Sequence, residues 1–266
     1  MQIKITSRQN PLIVRLSKLS DRKYRDTERM FRLDGVKLTD EALMNGILPE
    51  YVFVTEDILG SGKLGRLAEI PEDRLYPVTD EVLAKLTDEK APQGIIAFVR
   101  MDAAKNIAFD DDAGSAVEHR ALLLSSIRDP GNVGTIIRTA CAMGIDRVYL
   151  SADCADIFSP KTLRASMGMA LRQKITITEN DLRLVGKLRS SGTEVFAAAL
   201  RDGPARLGEF PLPERVCFVI GNEGHGLSDE LIDACDGTVI IPMAPGCESL
   251  NAAMAAGIIA WEMRQV

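Results

Sequence analysis

Apolar and polar positions follow two different rhythms along this chain. Between residues 11 and 100 the apolar runs are short and the elements mixed. Leu12, Leu16 and Leu19 fall at i, i+4 and i+7 with Arg and Lys on the other faces, which predicts a helix over 11–30. A short strand at 31–33 follows, then an Asp34-Gly35 turn into a helix ending near Asn45-Gly46. Tyr51-Val52-Phe53-Val54 is β-branched and aromatic, as a strand should be. A weak helix at 64–68, a strand at 75–76, a helix at 80–86 and a strand at 94–100 complete a small α/β unit.

The stretch 102–118 has little periodicity and contains Asp110-Asp111-Asp112 and Ala113-Gly114-Ser115, the composition of a linker. Beyond it, unbroken apolar runs alternate regularly with amphipathic ones. Strands are expected at 121–127, 147–150, 174–178, 194–200, 215–220 and 239–243. The helices between them are placed at 132–143 (Asn132 as N-cap, Gly144 as stop), 160–169, 182–189, after Ser228, and 249–265. Strands without polar alternation, separated by helices, mean a parallel sheet covered on both faces. The expected domains are therefore 1–101, a linker over 102–118, and 119–266.

Composition narrows the class. Apolar residues make up 46% and charged residues 26%, ordinary for a soluble globular protein. The N-terminal residues show no apolar core of a signal peptide, and the most apolar run, 252–261, is too short to span a bilayer. Five scattered cysteines with no CxxC pair, and two histidines, argue against a metal site or a disulfide framework and for a cytoplasmic protein. The net charge of −6 conceals an asymmetry: residues 1–37 hold ten Lys and Arg against four acids. Either a polyanion contacts that end, through Arg22, Lys23, Arg25 and Arg29, or the segment is a solvated basic face.

Two strand exits near the C-terminus carry candidate chemistry. One is Gly221-Asn222-Glu223-Gly224-His225-Gly226; the other is Ile241-Pro242-Met243, followed by Ser249-Leu250-Asn251. Glycines there permit close backbone approach to a small molecule, or merely tight turns. The spacing is neither a dinucleotide-binding GxGxxG nor a Walker-type phosphate loop, which opposes a Rossmann dehydrogenase or a P-loop enzyme. Upstream, Val133, Ile136, Ile137 and Ala140 form an apolar helical stripe, and Arg138 sits well round from it. An arginine just beyond a strand exit either holds a phosphate or is simply solvated.

Taken together, Asn132-x-Gly134-x3-Arg138-Thr139-Ala140, Gly221-Asn222-Glu223-Gly224-x-Gly226, and Ile241-Pro242-Met243 with Ser249-Leu250-Asn251 resemble the three motifs of the SpoU/TrmH RNA ribose 2′-O-methyltransferases, of the SPOUT superfamily. The resemblance covers residues 119–266 closely; residues 1–100 resemble more loosely the small RNA-binding α/β domain that precedes many such enzymes. It implies a deep trefoil knot in the C-terminal sheet, a homodimer, and S-adenosylmethionine as cofactor, held near Ala199, Leu200, Gly221, Asn222, Gly226, Ile241, Met243 and Leu250. Arg138 matches the catalytic arginine, as base or phosphate anchor, and Asn132, Glu223, Ser249 and Asn251 match polar positions of the site. The implied substrate is RNA, ribosomal in preference to transfer RNA; the alternative is a non-catalytic RNA-binding protein of the same fold. No membrane or metal is implied.

Overall fold

The amphipathic stretch that opens the chain forms two helices, α1 (Pro11–Ser17) and α2 (Arg22–Glu28), in the computed structural model, which describes residues 3–61, 65–109, 118–201, 203–222, 224–246 and 249–264. The break has a chemical cause. A 3₁₀ turn (Lys18–Ser20) leads to an extended Asp21, whose side chain caps α2 by accepting from Lys23 N. The carbonyls left open at Leu19 and Ser20 accept from Nη1 of Arg25, at 2.9 and 2.7 Å. Arg25 is thereby buried, and its Nη2 pairs with Asp156 Oδ2 at 2.5 Å.

These helices belong to the first of two units, which takes in Met1–Lys105 and also Asp156–Leu171. Its sheet contains β1 (Met30–Asp34), β2 (Tyr51–Val54), β3 (Leu75–Pro77) and β4 (Ile95–Arg100) in the order β1-β4-β2-β3. Pairing is antiparallel except between β2 and β3. α3 (Val36–Met44), α4 (Glu56–Ser61) and α5 (Asp80–Leu86) accompany it. Ile13, Leu16 and Leu19 pack on Phe53, Val82, Leu86 and Phe98 in one core.

Asp156–Leu171 joins this unit through specific contacts, although local pattern alone placed it with residues 119–266. Phe158 lies against Phe31 with ring centroids 4.9 Å apart. In the helix Pro160–Ala165, Arg164 pairs with Asp34 at 2.8 Å and Glu89 at 2.9 Å. Buried Arg32 pairs with the same Asp34 and with Asp88. Gly168, at φ +85°, meets the Glu41 side chain where a Cβ would sit at 2.9 Å or less.

The second unit, Asn106–Ala155 with Arg172–Val266, is built on a sheet whose pairings are all parallel. Its strands are β5 (Ile107–Phe109), β6 (Arg120–Leu124), β7 (Arg147–Ser151), β8 (Ile175–Thr178), β9 (Glu194–Ala198), β10 (Ala205–Arg206), β11 (Val216–Ile220) and β12 (Gly237–Ile240). Their order is β10-β12-β9-β11-β6-β7-β8-β5. β5 arises inside the stretch expected to be a linker: Ile107-Ala108-Phe109 is too short to stand out, and its pairing with Ile175-Thr176-Ile177 makes it a strand.

The helices of this unit are α6 (Pro130–Met143), α8 (Asp181–Ser190), α9 (Asp229–Ala234) and α10 (Ala252–Met263), α7 being Pro160–Ala165 of the first unit. Leu184, Leu188 and Leu231 cover one face of the sheet against Leu123, Val195, Cys217 and Val219. α10 packs on α6, each burying an apolar stripe. Two helix starts differ from expectation. Asp129, not Asn132, caps α6, accepting from Asn132 N at 2.9 Å. Asn251 caps α10, so Ser249 and Leu250 precede the helix. Among the described residues no helix is long and apolar enough to cross a membrane, and no cluster of potential metal ligands occurs.

Candidate active site

In open parallel sheets, ligands bind beyond the C-terminal strand ends where the chain's winding reverses direction. Here β6 runs on to β7 and β8 on one side, while β11 and β9 lie on the other. At that side the exits of β9, β11 and β12 surround a cavity of about 670 Å³. Ala199, Leu200, Gly221, Asn222, Gly226, Ile241, Met243 and Leu250 all line it, together with Ser249 and the α10 residues Ala252, Ala255 and Ile259. The eight positions singled out for a cofactor thus share one cavity, though they are spread over residues 199–250.

The glycine loop has its shape for reasons internal to it. A Cβ on Gly221 would lie 2.6 Å from the carbonyl carbon of Gly226, so only glycine lets the loop fold back on its own start. Gly226 sits at φ +67°, in the left-handed region. Asn222 organises what lies between: its O accepts from Gly226 N and its Oδ1 from Gly224 N, both at 2.8 Å. Its Nδ2 donates to Ser126 O at 2.9 Å, tying the loop to the exit of β6. Asn222 therefore spends its side chain on backbone groups of the loops. Glu223, like Cys247 and Glu248, lies outside the described residues.

Asn132, Asn251 and Arg138 lie on the α6 side. Asp129 caps α6, and the Oδ1 of Asn132 accepts from Nδ2 of Asn251 at 3.1 Å. Asn251 caps α10 with the other end of its amide, accepting from Ala253 N at 2.9 Å and Met254 N at 3.3 Å. One side chain thus joins the starts of both helices. Arg138 is exposed and makes no hydrogen bond or ion pair among the described residues. It does not line the cavity.

Comparison with known proteins gives the family. Residues 119–261 match the profile of the SpoU rRNA Methylase family, and residues 10–97 that of the MRM3-like substrate binding domain. The chain is 30% identical to the 23S rRNA (guanosine(2553)-2′-O)-methyltransferase RlmP of Bacillus subtilis, over 98% of both chains. It belongs to the SpoU rRNA methylase family. A 23S rRNA (uridine(2479)-2′-O)-methyltransferase of Streptomyces viridochromogenes is also 30% identical, over 84% of this chain and 82% of that one. Among solved structures, the AdoMet-bound rRNA methyltransferase of Sinorhizobium meliloti superposes with a TM-score of 0.84, at 28% identity, over 99% of this chain and 97% of that one.

This SpoU family member holds the exit of β6 with a polar network that the motifs did not reveal. Ser126, at φ +59°, donates from Oγ to Asp153 Oδ2 at 2.6 Å and from N to Ser151 Oγ at 2.8 Å. Ser151 Oγ donates to the other oxygen of Asp153 at 2.6 Å. Burial works against the Asp153 carboxylate, but the bonds from Ser126 and Ser151 outweigh it and hold its pKa below the ordinary value. Neighbouring Asp181 accepts from Ser125 Oγ at 2.6 Å; burial dominates there and raises its pKa. A left-handed serine costs energy and persists only where neighbours fix it. The signal was faint: two serines ending an apolar run, with no periodicity to mark them.

Proposed function

We propose that this chain transfers a methyl group from S-adenosylmethionine to a ribose 2′-hydroxyl of ribosomal RNA. The observation that carries this reading is the shared cavity at three strand exits, set in a SpoU family chain whose α6 presents Arg138 to solvent. A volume of about 670 Å³ suits a nucleoside-sized ligand, and walls of backbone and apolar side chains suit its adenosine part. When bound, the cofactor supplies a methyl group already activated on a sulfonium. The chain's own work is then alignment and charge management.

Arg138 grips the phosphate beside the target ribose and favours the developing alkoxide. Asn132 and Asn251 hold the helix starts that carry the site, and Ser249 and Glu223 supply further polar contacts to ribose or cofactor. Exposed Arg22, Lys23 and Arg29 give the first unit phosphate affinity, whereas buried Arg25 holds its helices together. The protein acts in the cytoplasm, as a homodimer with a deep trefoil knot in its C-terminal sheet. Exposed Met254, Ile258 and Trp261, at i, i+4 and i+7 along α10, support the dimer.

Mapping 2′-O-methyl positions in ribosomal and transfer RNA, with and without the protein, tests the reading. One ribosomal position should depend on the wild-type chain and vanish with Arg138→Ala, while cofactor binding persists. Dependence in transfer RNA alone, or in neither RNA, sinks it.

A further inference from the structure

The cavity has one feature that neither its motifs nor its apolar walls account for. Among the described lining residues, the permanently charged side chains are Arg201, just past β9, and Asp229, in the first turn of α9. They face each other: Arg201 Nη2 lies 2.6 Å from Asp229 Oδ1. The other guanidinium arm, Nη1, is anchored on Asp233 Oδ1 at 2.8 Å. The remaining wall is largely apolar side chain and backbone, with Asn222, His225 and Ser249 among its polar residues.

We propose that Arg201 and Asp229 receive the amino-acid end of the cofactor, Arg201 taking its α-carboxylate and Asp229 its α-ammonium. The proposal rests on reading the cavity as an S-adenosylmethionine site. An exposed ion pair adds little to stability, because solvent screens it and two long side chains must be ordered. The Asp229 side chain is 90% exposed, so solvent screens this pair and its exchange for a ligand's charges costs little. A zwitterion entering the cavity exchanges it for two pairs, Arg201 with carboxylate and Asp229 with ammonium, and neither protein charge is stranded. A guanidinium is the right shape for a carboxylate, which it can grip through two parallel N–H donors. Asp233 keeps the guanidinium in position while Asp229 turns from it to the ammonium. The same assignment orients the ligand. The charged end lies between the β9 exit and α9, which leaves the uncharged purine for the apolar wall toward Ile241 and Leu250.

Calorimetric titration with S-adenosylhomocysteine, which keeps the amino-acid end, and 5′-methylthioadenosine, which lacks it, separates this role from a structural one. Wild-type protein should bind the first more tightly. Arg201→Ala should weaken S-adenosylhomocysteine about 10- to 100-fold and leave 5′-methylthioadenosine within about twofold, as expected for loss of a charge-assisted bond. Arg201→Lys should fall between the two, and Asp229→Asn should weaken S-adenosylhomocysteine selectively as well. Equal losses for both ligands, or none, overturn the assignment while leaving the cofactor site intact. Wild-type protein that binds neither ligand overturns the cofactor reading and this proposal with it.

Discussion

Arg22 and Arg25 stand three positions apart in a basic segment, and nothing in their immediate sequence distinguishes them. Burial does. Arg25 is 3% exposed and its donors are taken by Leu19 O, Ser20 O and Asp156, while Arg22, Lys23 and Arg29 face solvent. The two kinds of cation should therefore fail differently. Reversing the charge of Arg22, Lys23 and Arg29 together should weaken RNA binding and flatten its dependence on salt, each lost phosphate contact removing about 0.7–0.9 from the logarithmic slope. Arg25→Ala should instead lower the urea midpoint, by about 3 kcal/mol in stability, since it strands half-buried Asp156 and two carbonyls. RNA titrations across a salt series, with unfolding curves for the same variants, check both. An unchanged slope in the triple variant would make the segment a solvated face.

At the scale of elements, the alternation of apolar runs was enough to read the parallel sheet and the identity of most helices, because buried strands and amphipathic helices write their own periods into sequence. Boundaries set by tertiary partners were not readable. The expected helix over 11–30 breaks where Arg25 reaches back to two carbonyls, and the edge strand β5 exists through pairing with β8. That the eight positions expected to hold a cofactor line one cavity was legible from the strand exits they follow, whereas the Ser126–Asp153 network, assembled from separate strand ends, was not. The caps of α6 and α10 show what a shifted boundary is worth. Asn251 holds both helix starts, and Asn251→Ala should cost about 1 kcal/mol as a lost cap. Asn251→Asp keeps the capping oxygen but loses the donor to Asn132. Its unfolding midpoint should stay near wild type while single-turnover methylation slows; an unaltered rate would leave Asn251 as a cap alone.

For the whole molecule, the charge asymmetry and the apolar stripe on α10 point in complementary directions. Residues 1–37 carry a net +6 within a chain of net −6, so polyanion affinity is concentrated in the part that matches a substrate-binding domain. Met254, Ile258 and Trp261 are 60%, 36% and 49% exposed, an unusual amount of apolar surface for one helix. Light scattering should give twice the 29.0 kDa chain mass, and Ile258→Glu with Trp261→Glu should bring it to one. A wild-type monomer would assign the stripe to some other role.

The first unit takes in Asp156–Leu171, which the chain reaches only after passing through β6, α6 and β7 of the second. Its consequence lies in the order of synthesis. As the nascent chain emerges, residues 3–105 meet solvent with Arg25 lacking Asp156, Phe31 lacking Phe158 and Asp34 lacking Arg164. The N-terminal unit, though begun first, cannot close on its own first hundred residues: its last contacts wait until residue 171 has left the ribosome. By then β6 and β7 are already present, but β6's other neighbour, β11, is not. The first unit therefore closes only after β6, α6 and β7 of the second have been made, and a chain interrupted before Asp156 leaves Arg25 without its carboxylate.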